Sequence, residues 1–247
     1  MNRLSAFSLR LARSLAFPYT GSIGTMATEA PSERTRVHRL PERGDYDRAT
    51  IDQILDEALI CHVAWVTDDG EPRLIPTIHV RVDDTLYFHG SRASRTLQAL
   101  RAGTEVCVAT TIVDGLVLAR SSFHHSMNYR SAIAFGTARE VTDHDEQLLV
   151  ARALADHVAP GRAADARPPT DDELRQTLML AIALDESSAK IRTGPPKDEE
   201  QDLDLPMWAG ILPLGLTPGA PEPAPDLRGA PPVPVYVEGY RRPGASG

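Results

Sequence analysis

Cysteine is scarce in this chain: Cys61 and Cys107 are the two in 247 residues. With no CxxC pair and no disulfide framework, neither a redox dithiol nor a cross-linked secreted scaffold is expected. Both cysteines fall in strand-like apolar runs and read as buried, reduced thiols. Lysine is as rare, at Lys190 and Lys197 alone, so arginine carries nearly all the positive charge. Its fixed fork suits phosphate, although the same bias follows from genome composition. A net charge of −8 excludes wholesale nucleic-acid binding. No run of 18 apolar residues exists, so no membrane-spanning helix is expected. The GxxxxGK[ST], GxGxxG, HxH, HExxH and GxSxG spacings are also missing, which argues against a P-loop, a dinucleotide fingerprint, a metal site and a serine hydrolase.

What the chain does have is concentrated between Ser121 and Gly136, SSFHHSMNYRSAIAFG. Here a polar loop turns into strict alternation. Tyr129, Ser131, Ile133 and Phe135 share one face, and Arg130, Ala132 and Ala134 the other, the pattern of a half-buried strand. Small residues beside an arginine leave space for a partner chain or a flat ligand. The surrounding stretch from Ser91 to Arg139 holds six arginines against Glu105 and Asp114, a local +4 that leaves −12 for the rest. A small anionic ligand and scattered surface arginines both account for that.

Along the chain, residues 1–28 carry arginine and serine without an acid, as in a transit peptide; the competing expectation is a translation start at Met26. A helix is predicted over Asp47–Leu59, with Thr50 as N-cap and Ile51, Ile54, Leu55 and Ala58 inward. Strands follow over Cys61–Thr67 and Arg73–Val82 around an Asp68-Asp69-Gly70 turn, and Pro76 implies an edge or a bulge. A third strand covers Thr85–His89. The loop Gly90–Arg95 leads into a helix with Ala93, Leu97 and Leu100 inward. Glu105–Val113 and Leu116–Arg120 read as a hairpin about Asp114-Gly115, and Tyr129–Val141 as the next strand. A helix over Asp143–Val158 places Leu148, Leu149, Ala151 and Leu154 inward. A third helix, capped by Thr170, runs to about Leu184. Ser187–Arg192 and Met207–Leu216 are the last strand candidates, and a Pro/Gly-rich tail begins at Pro218.

Serines and arginines in the Gly90–Arg95 loop bring hydroxyl donors and guanidinium charge together at a helix start, as phosphate binding requires. An ordinary N-cap with solvated arginines fits the same residues. His124 and His125 are adjacent and point oppositely in an extended segment; His62, His79 and His89 lie in separate strands. No metal ligand is therefore expected.

Four motifs carry a family resemblance: ERTRVHRLPERGDYD, YFHGSRASR, LARSSFHHSMNYRSAIAFGTA and AKIRTGPPKDEEQDLDLPMWAGILPL. Across residues 33–217 the chain resembles the pyridoxamine 5′-phosphate oxidase-like flavoproteins, in the branch of nitroimidazole-resistance and flavin-nucleotide-binding proteins. The resemblance implies a mainly β fold with flanking helices, a six-stranded antiparallel Greek-key split β-barrel. It also implies a homodimer with FMN at the interface. Residues 1–32 would be an N-terminal arm or a mis-annotated start, residues 33–217 the FMN-binding domain and residues 218–247 the tail. By position, Ile75, Pro76 and Thr77 would lie along the flavin ring. Phe88, His89, Ser91, Ser94 and Arg95 would match the phosphate-binding strand and helix start. Arg130 and Ser131 fall where the oxidases proper have arginine and glutamine, and Trp208 in a segment that approaches the ring from the partner chain. The oxidase's C-terminal substrate-binding arginine and histidine are not visible, which argues against pyridoxamine phosphate as substrate.

The implied function is FMN-dependent oxidation or reduction of a small organic molecule in the cytoplasm, with NADH or NADPH as candidate donor. The alternative is a non-catalytic carrier or sensor of flavin, deazaflavin or haem. His125 and Tyr129 are candidate general acids, with structural hydrogen bonding as the competing role.

Overall fold

Runs of strands are separated by helices from residue 44 onward in the computed structural model, which describes residues 29–241. Residues 1–28, on which the transit-peptide and Met26-start expectations fall, and the last six residues lie outside the described range. In chain order come β1 (Gly44–Asp45), α1 (Arg48–Glu57), β2 (Cys61–Val66), β3 (Pro72–Thr77), β4 (His79–Val82) and β5 (Thr85–Ser91). Then follow α2 (Arg95–Leu100), β6 (Glu105–Leu118), β7 (Ser126–Thr137), β8 (Arg139–Glu140), α3 (His144–Val158) and α4 (Arg162–Asp165). The chain ends with α5 (Asp171–Gln176), β9 (Thr177–Ala183), β10 (Glu186–Arg192), β11 (Gly210–Pro213) and α6 (Val235–Glu238).

Every strand pairing is antiparallel. One sheet runs β1-β10-β7-β6-β2-β3, with β11 also on β6, and the other runs β4-β5-β9-β8. The two sheets and α1 close over one core that contains Ile51, Ile54, Val63, Leu86, Phe88, Val108, Ala132, Ala134, Leu180 and Ile182. A second core lies between the smaller sheet and the helices, with Val80, Tyr87, Val150, Leu154, Leu174 and Met179. This is the mainly β split barrel with flanking helices.

Local sequence accounts for much of it. Gly70 adopts φ +79° and donates its N–H to Thr67 O at 2.8 Å, closing the β2–β3 turn. Pro76 sits in β3, which pairs with β2 alone, so its missing N–H leaves no bond unmade. Asp143 caps α3 by accepting from the Glu146 N–H at 2.8 Å. Thr170 and Glu173 form a reciprocal capping box at α5.

The largest differences from expectation share a cause, long-range pairing. The helix predicted from Thr170 to Leu184 stops at Gln176. Thr177–Ala183 becomes β9, whose residues pair with β5 across its length and with β8 at its middle, through Leu180 and Ala181. An unbroken apolar run suits a strand covered on both faces as well as it suits a helix. The hairpin expected at Asp114-Gly115 is instead a bulge inside one 14-residue strand, because β7 pairs with β6 on both sides of it. The strand Arg73–Val82 divides at Ile78, its halves belonging to different sheets. Asp47, not Thr50, is the N-cap of α1, and Thr50 is buried within the helix. Ala93 and Leu149 are exposed; Val150 and His157 take the inward positions on α3.

Candidate functional site

The turn between β5 and α2 is built by a close approach. A Cβ on Gly90 would stand 2.7 Å from Cδ1 of Leu97, so the glycine lets α2 lie directly against its strand. Ser94 caps the helix, its Oγ accepting the Leu97 N–H at 3.4 Å. Ser91 Oγ accepts the Ala93 N–H at 3.2 Å, and Ser91 O accepts from Ser94 N at 2.9 Å. Each hydroxyl oxygen is thus used as an acceptor, which leaves its proton to donate.

The two arginines of the turn differ. Arg92 is tied down, Nε donating to Arg175 O at 3.0 Å and Nη2 to Glu140 Oε1 at 2.9 Å. Arg95 is exposed and makes no ion pair or side-chain hydrogen bond with any described residue. A shallow cavity of about 420 Å³ beside the turn is lined by Arg92, Glu140, Thr142, His144 and Gln147 over Leu174. Of the Gly90–Arg95 loop only Arg92 lines it, and none of Ser91, Ser94 or Arg95 does.

β3 brings Ile75, Pro76 and Thr77 to the same end of the barrel. β4 pairs His79 with Phe88, and that register carries the end of β3 toward Gly90. The free edge of β3 presents unpaired main-chain groups. Ile75 packs partly against the core, whereas Pro76 is exposed. Phe88 is 0% exposed, paired with His79 on one side and Leu180 on the other, so its side chain belongs to the core. His89, one residue on, points to the opposite face. Its Nδ1 is buried without a partner, and burial lowers its pKa, which favours the neutral ring.

Arg130, Ser131 and Trp208 lie elsewhere. The Arg130 guanidinium turns inward between two carboxylates. Nη2 reaches Glu57 Oε1 at 3.0 Å and Asp114 Oδ1 at 2.7 Å, and Nε reaches Asp114 Oδ2 at 2.9 Å. Burial alone would lower its pKa, but these bonds raise it well above the ordinary value. The space on the small-residue face of β7 is therefore filled by the chain itself, by α1 and core residues packed on Ala132 and Ala134. Ser131 faces outward and donates to Lys190 O at 3.2 Å. Trp208 is 68% exposed just before β11, with its ring beside Gly210.

His125, His124, His79 and His157 are engaged by neighbours. His125 Nδ1 lies 3.0 Å from Ser121 O, and His124 Nε2 lies 3.7 Å from Glu199 Oε1. His79 and His157 meet in the interior with ring centroids 5.1 Å apart. Their Nε2 atoms sit 2.9 Å from Leu55 O and 3.0 Å from Ala58 O, the carbonyls that end α1. Burial holds both pKa values down, that of His79 to about 4. Among the described residues no group of three or more His, Cys, Asp or Glu is placed to hold a metal, and no helix is long and apolar enough to cross a membrane. Glu57 and Asp114, the partners of Arg130, carried no sequence signal, since they lie 73 and 16 residues away.

A family model described as pyridoxamine 5′-phosphate oxidase matches residues 47–191. Among solved structures, the chain is similar to the flavocytochrome Anf3 from Azotobacter vinelandii: 35% identity, TM-score 0.79, covering 86% of this chain and 99% of that one. It is also similar to the FAD and heme binding protein from Mycobacterium smegmatis, with 41% identity and a TM-score of 0.76, over 80% of this chain and 96% of that one. A candidate 5-nitroimidazole antibiotic resistance protein from Bacteroides thetaiotaomicron shares the fold at 22% identity and a TM-score of 0.52, over 60% of this chain and 86% of that one. No curated protein matches.

Proposed function

Because this chain belongs to the pyridoxamine 5′-phosphate oxidase family, we propose that it is a flavoprotein that binds FMN and catalyses oxidation or reduction of a small organic molecule. The observation that carries the reading is the β5–α2 turn, where an unpaired Arg95 stands beside two hydroxyls with protons to donate. These groups fit a flavin phosphate: Arg95 neutralises it, and Ser91 and Ser94 donate to its oxygens. Ile75, Pro76 and Thr77 border the ring with the free edge of β3, and the sealed core at Phe88 keeps water from the inner side. When bound, a flavin supplies electron and hydride transfer. His125 and Tyr129 are offered as structural groups, and no catalytic residue is assigned.

A homodimer completes the reading. Thr77 lies level with Cys61, one step beyond the His62–Ala109 pair, whereas Trp208 precedes Gly210, which pairs with Leu118. Eight residues of strand separate these levels, roughly 25 Å. Within one chain Trp208 thus stands far from the turn, and a second copy is what would bring it near. The outer face of the larger sheet, with Val66, Leu74, Val113 and Ile133 exposed, is the surface offered for that contact. We take residues 33–217 as the binding unit, residues 218–247 as a tail, NADH or NADPH as donor and the cytoplasm as location.

A second reading has specific support, since two relatives above 30% identity are described as a flavocytochrome and an FAD and heme binding protein. In it the chain carries FAD, haem or a deazaflavin without turnover. The absorption spectrum of purified protein, with mass spectrometry of the released ligand, tests both readings. Flavin absorption is expected; a colourless protein unchanged by FMN or FAD overturns the proposal. Stopped-flow mixing with NADH and NADPH separates enzyme from carrier, because a bound flavin that no donor reduces is a carrier's.

A further inference from the structure

Two partly buried arginines are neutralised by acids. Arg130 has Glu57 and Asp114, and Arg120 Nη1 meets Asp198 Oδ2 at 3.0 Å. Arg192, at the end of β10, is 8% exposed and has no carboxylate partner among the described residues. Its Nη1 donates to Asn128 Oδ1 and to Gly194 O at 3.3 Å, and its Nη2 to Pro195 O at 3.4 Å. These neutral oxygens orient the guanidinium without cancelling its charge, and a buried charge left so is costly.

More positive charge is gathered around it. Arg43, half-buried at the entry to β1, forms no ion pair with a described residue, and its charge adds to burial in lowering the Arg192 pKa. Lys190 lies two residues earlier on β10 and spends one N–H on Arg39 O at 3.1 Å. Residues two apart on a strand share a face roughly 7 Å apart, and β7 sets Tyr129 opposite Arg192 and Ser131 opposite Lys190. The result is a cationic corner beside a phenol, on the outward face of the larger sheet.

We propose that Arg43, Lys190 and Arg192 form a binding site for a multiply charged oxyanion, a diphosphate or a pair of carboxylates. The anion supplies the counter-charge Arg192 lacks, with Lys190 and Arg43 closing on its outer oxygens. This corner is separate from the Ser91–Arg95 turn and does not depend on that turn's holding a flavin.

Inorganic pyrophosphate is the first probe, with ionic strength held constant. Millimolar pyrophosphate raises the melting temperature of the wild-type protein by about 3 °C. Lys190→Ala and Arg43→Ala, at solvent-accessible positions where folding is retained, each weaken its affinity at least tenfold, whereas Arg95→Ala keeps the corner's response. No stabilisation of wild type, or full stabilisation of both corner variants, overturns the proposal. Titrations of the same variants with FAD and with haem identify the source. Loss for FAD assigns a diphosphate, and loss for haem assigns carboxylates. If the pyrophosphate response falls while both titrations hold, a free small anion is the ligand. Absence of any flavin binding by wild type would defeat the flavoprotein reading and leave the pyrophosphate result standing on its own.

Discussion

Arg130 on β7 and Glu57 at the end of α1 are joined through both terminal nitrogens of the guanidinium. Their contact fastens α1 to the larger sheet across 73 residues of chain, and Asp114 at the β6 bulge completes the clamp. Charge placed in an alternating strand here serves architecture.

Removing that guanidinium leaves two carboxylates facing each other in a partly buried site. Arg130→Ala should destabilise the fold by about 3 kcal/mol, read from urea unfolding. A loss below about 1 kcal/mol would show that the clamp contributes little. Flavin affinity of the folded variant should be unchanged.

Arg95 has the opposite character, exposed and without a partner among the described residues. Arg95→Ala should leave stability within about 0.5 kcal/mol and weaken FMN binding by roughly 1–3 kcal/mol, the worth of a charge-assisted hydrogen bond. Fluorescence titration measures it; unchanged affinity removes Arg95 from the phosphate site.

The buried histidines give the fold an acid limit. An unfolded histidine titrates near 6.5, whereas folded His79 stays neutral down to about 4. Below 6.5 the unfolded chain takes up a proton that the folded one refuses. The stability His79 contributes is therefore complete above pH 6.5 and lost as the pH falls from there toward 4, about 3 kcal/mol in all. His157 shifts in the same direction. Denaturation curves at pH 7, 6, 5 and 4 should show the decline. His79→Gln, which keeps a donor and does not titrate, should flatten it; an equally steep decline in that variant would rule His79 out as its source.

At the bulge, a Cβ on Gly115 would meet the Leu212 main-chain oxygen at 3.0 Å and Ile211 Cγ2 at 3.2 Å. Backbone cannot step aside as a side chain can. Gly115→Val should lower stability by roughly 1–3 kcal/mol and loosen β11, seen as faster amide exchange at Ile211 and Leu212. Protection equal to wild type would contradict the close approach.

The outer sheet face predicts association. Light scattering should give a dimer mass, and Leu74→Glu, a charge placed among exposed apolar residues, should shift it toward monomer. A wild-type monomer at micromolar concentration would remove the shared-interface reading.

By itself the sequence determined what depends on near neighbours. Gly70 closes its turn, Asp143, Ser94 and Thr170 cap their helices, Pro76 marks an edge, and the alternation of Tyr129 to Phe135 announces a strand. Long ordered motifs likewise carried the family. Tertiary structure alone decided whether Thr177–Ala183 coils or extends, whether Asp114-Gly115 turns back or bulges, and which acids hold Arg130 while none holds Arg192. Turns and caps are settled by energies within a few residues. Strand partners and counter-charges are settled by groups tens of residues away, which meet after the chain has closed on its core.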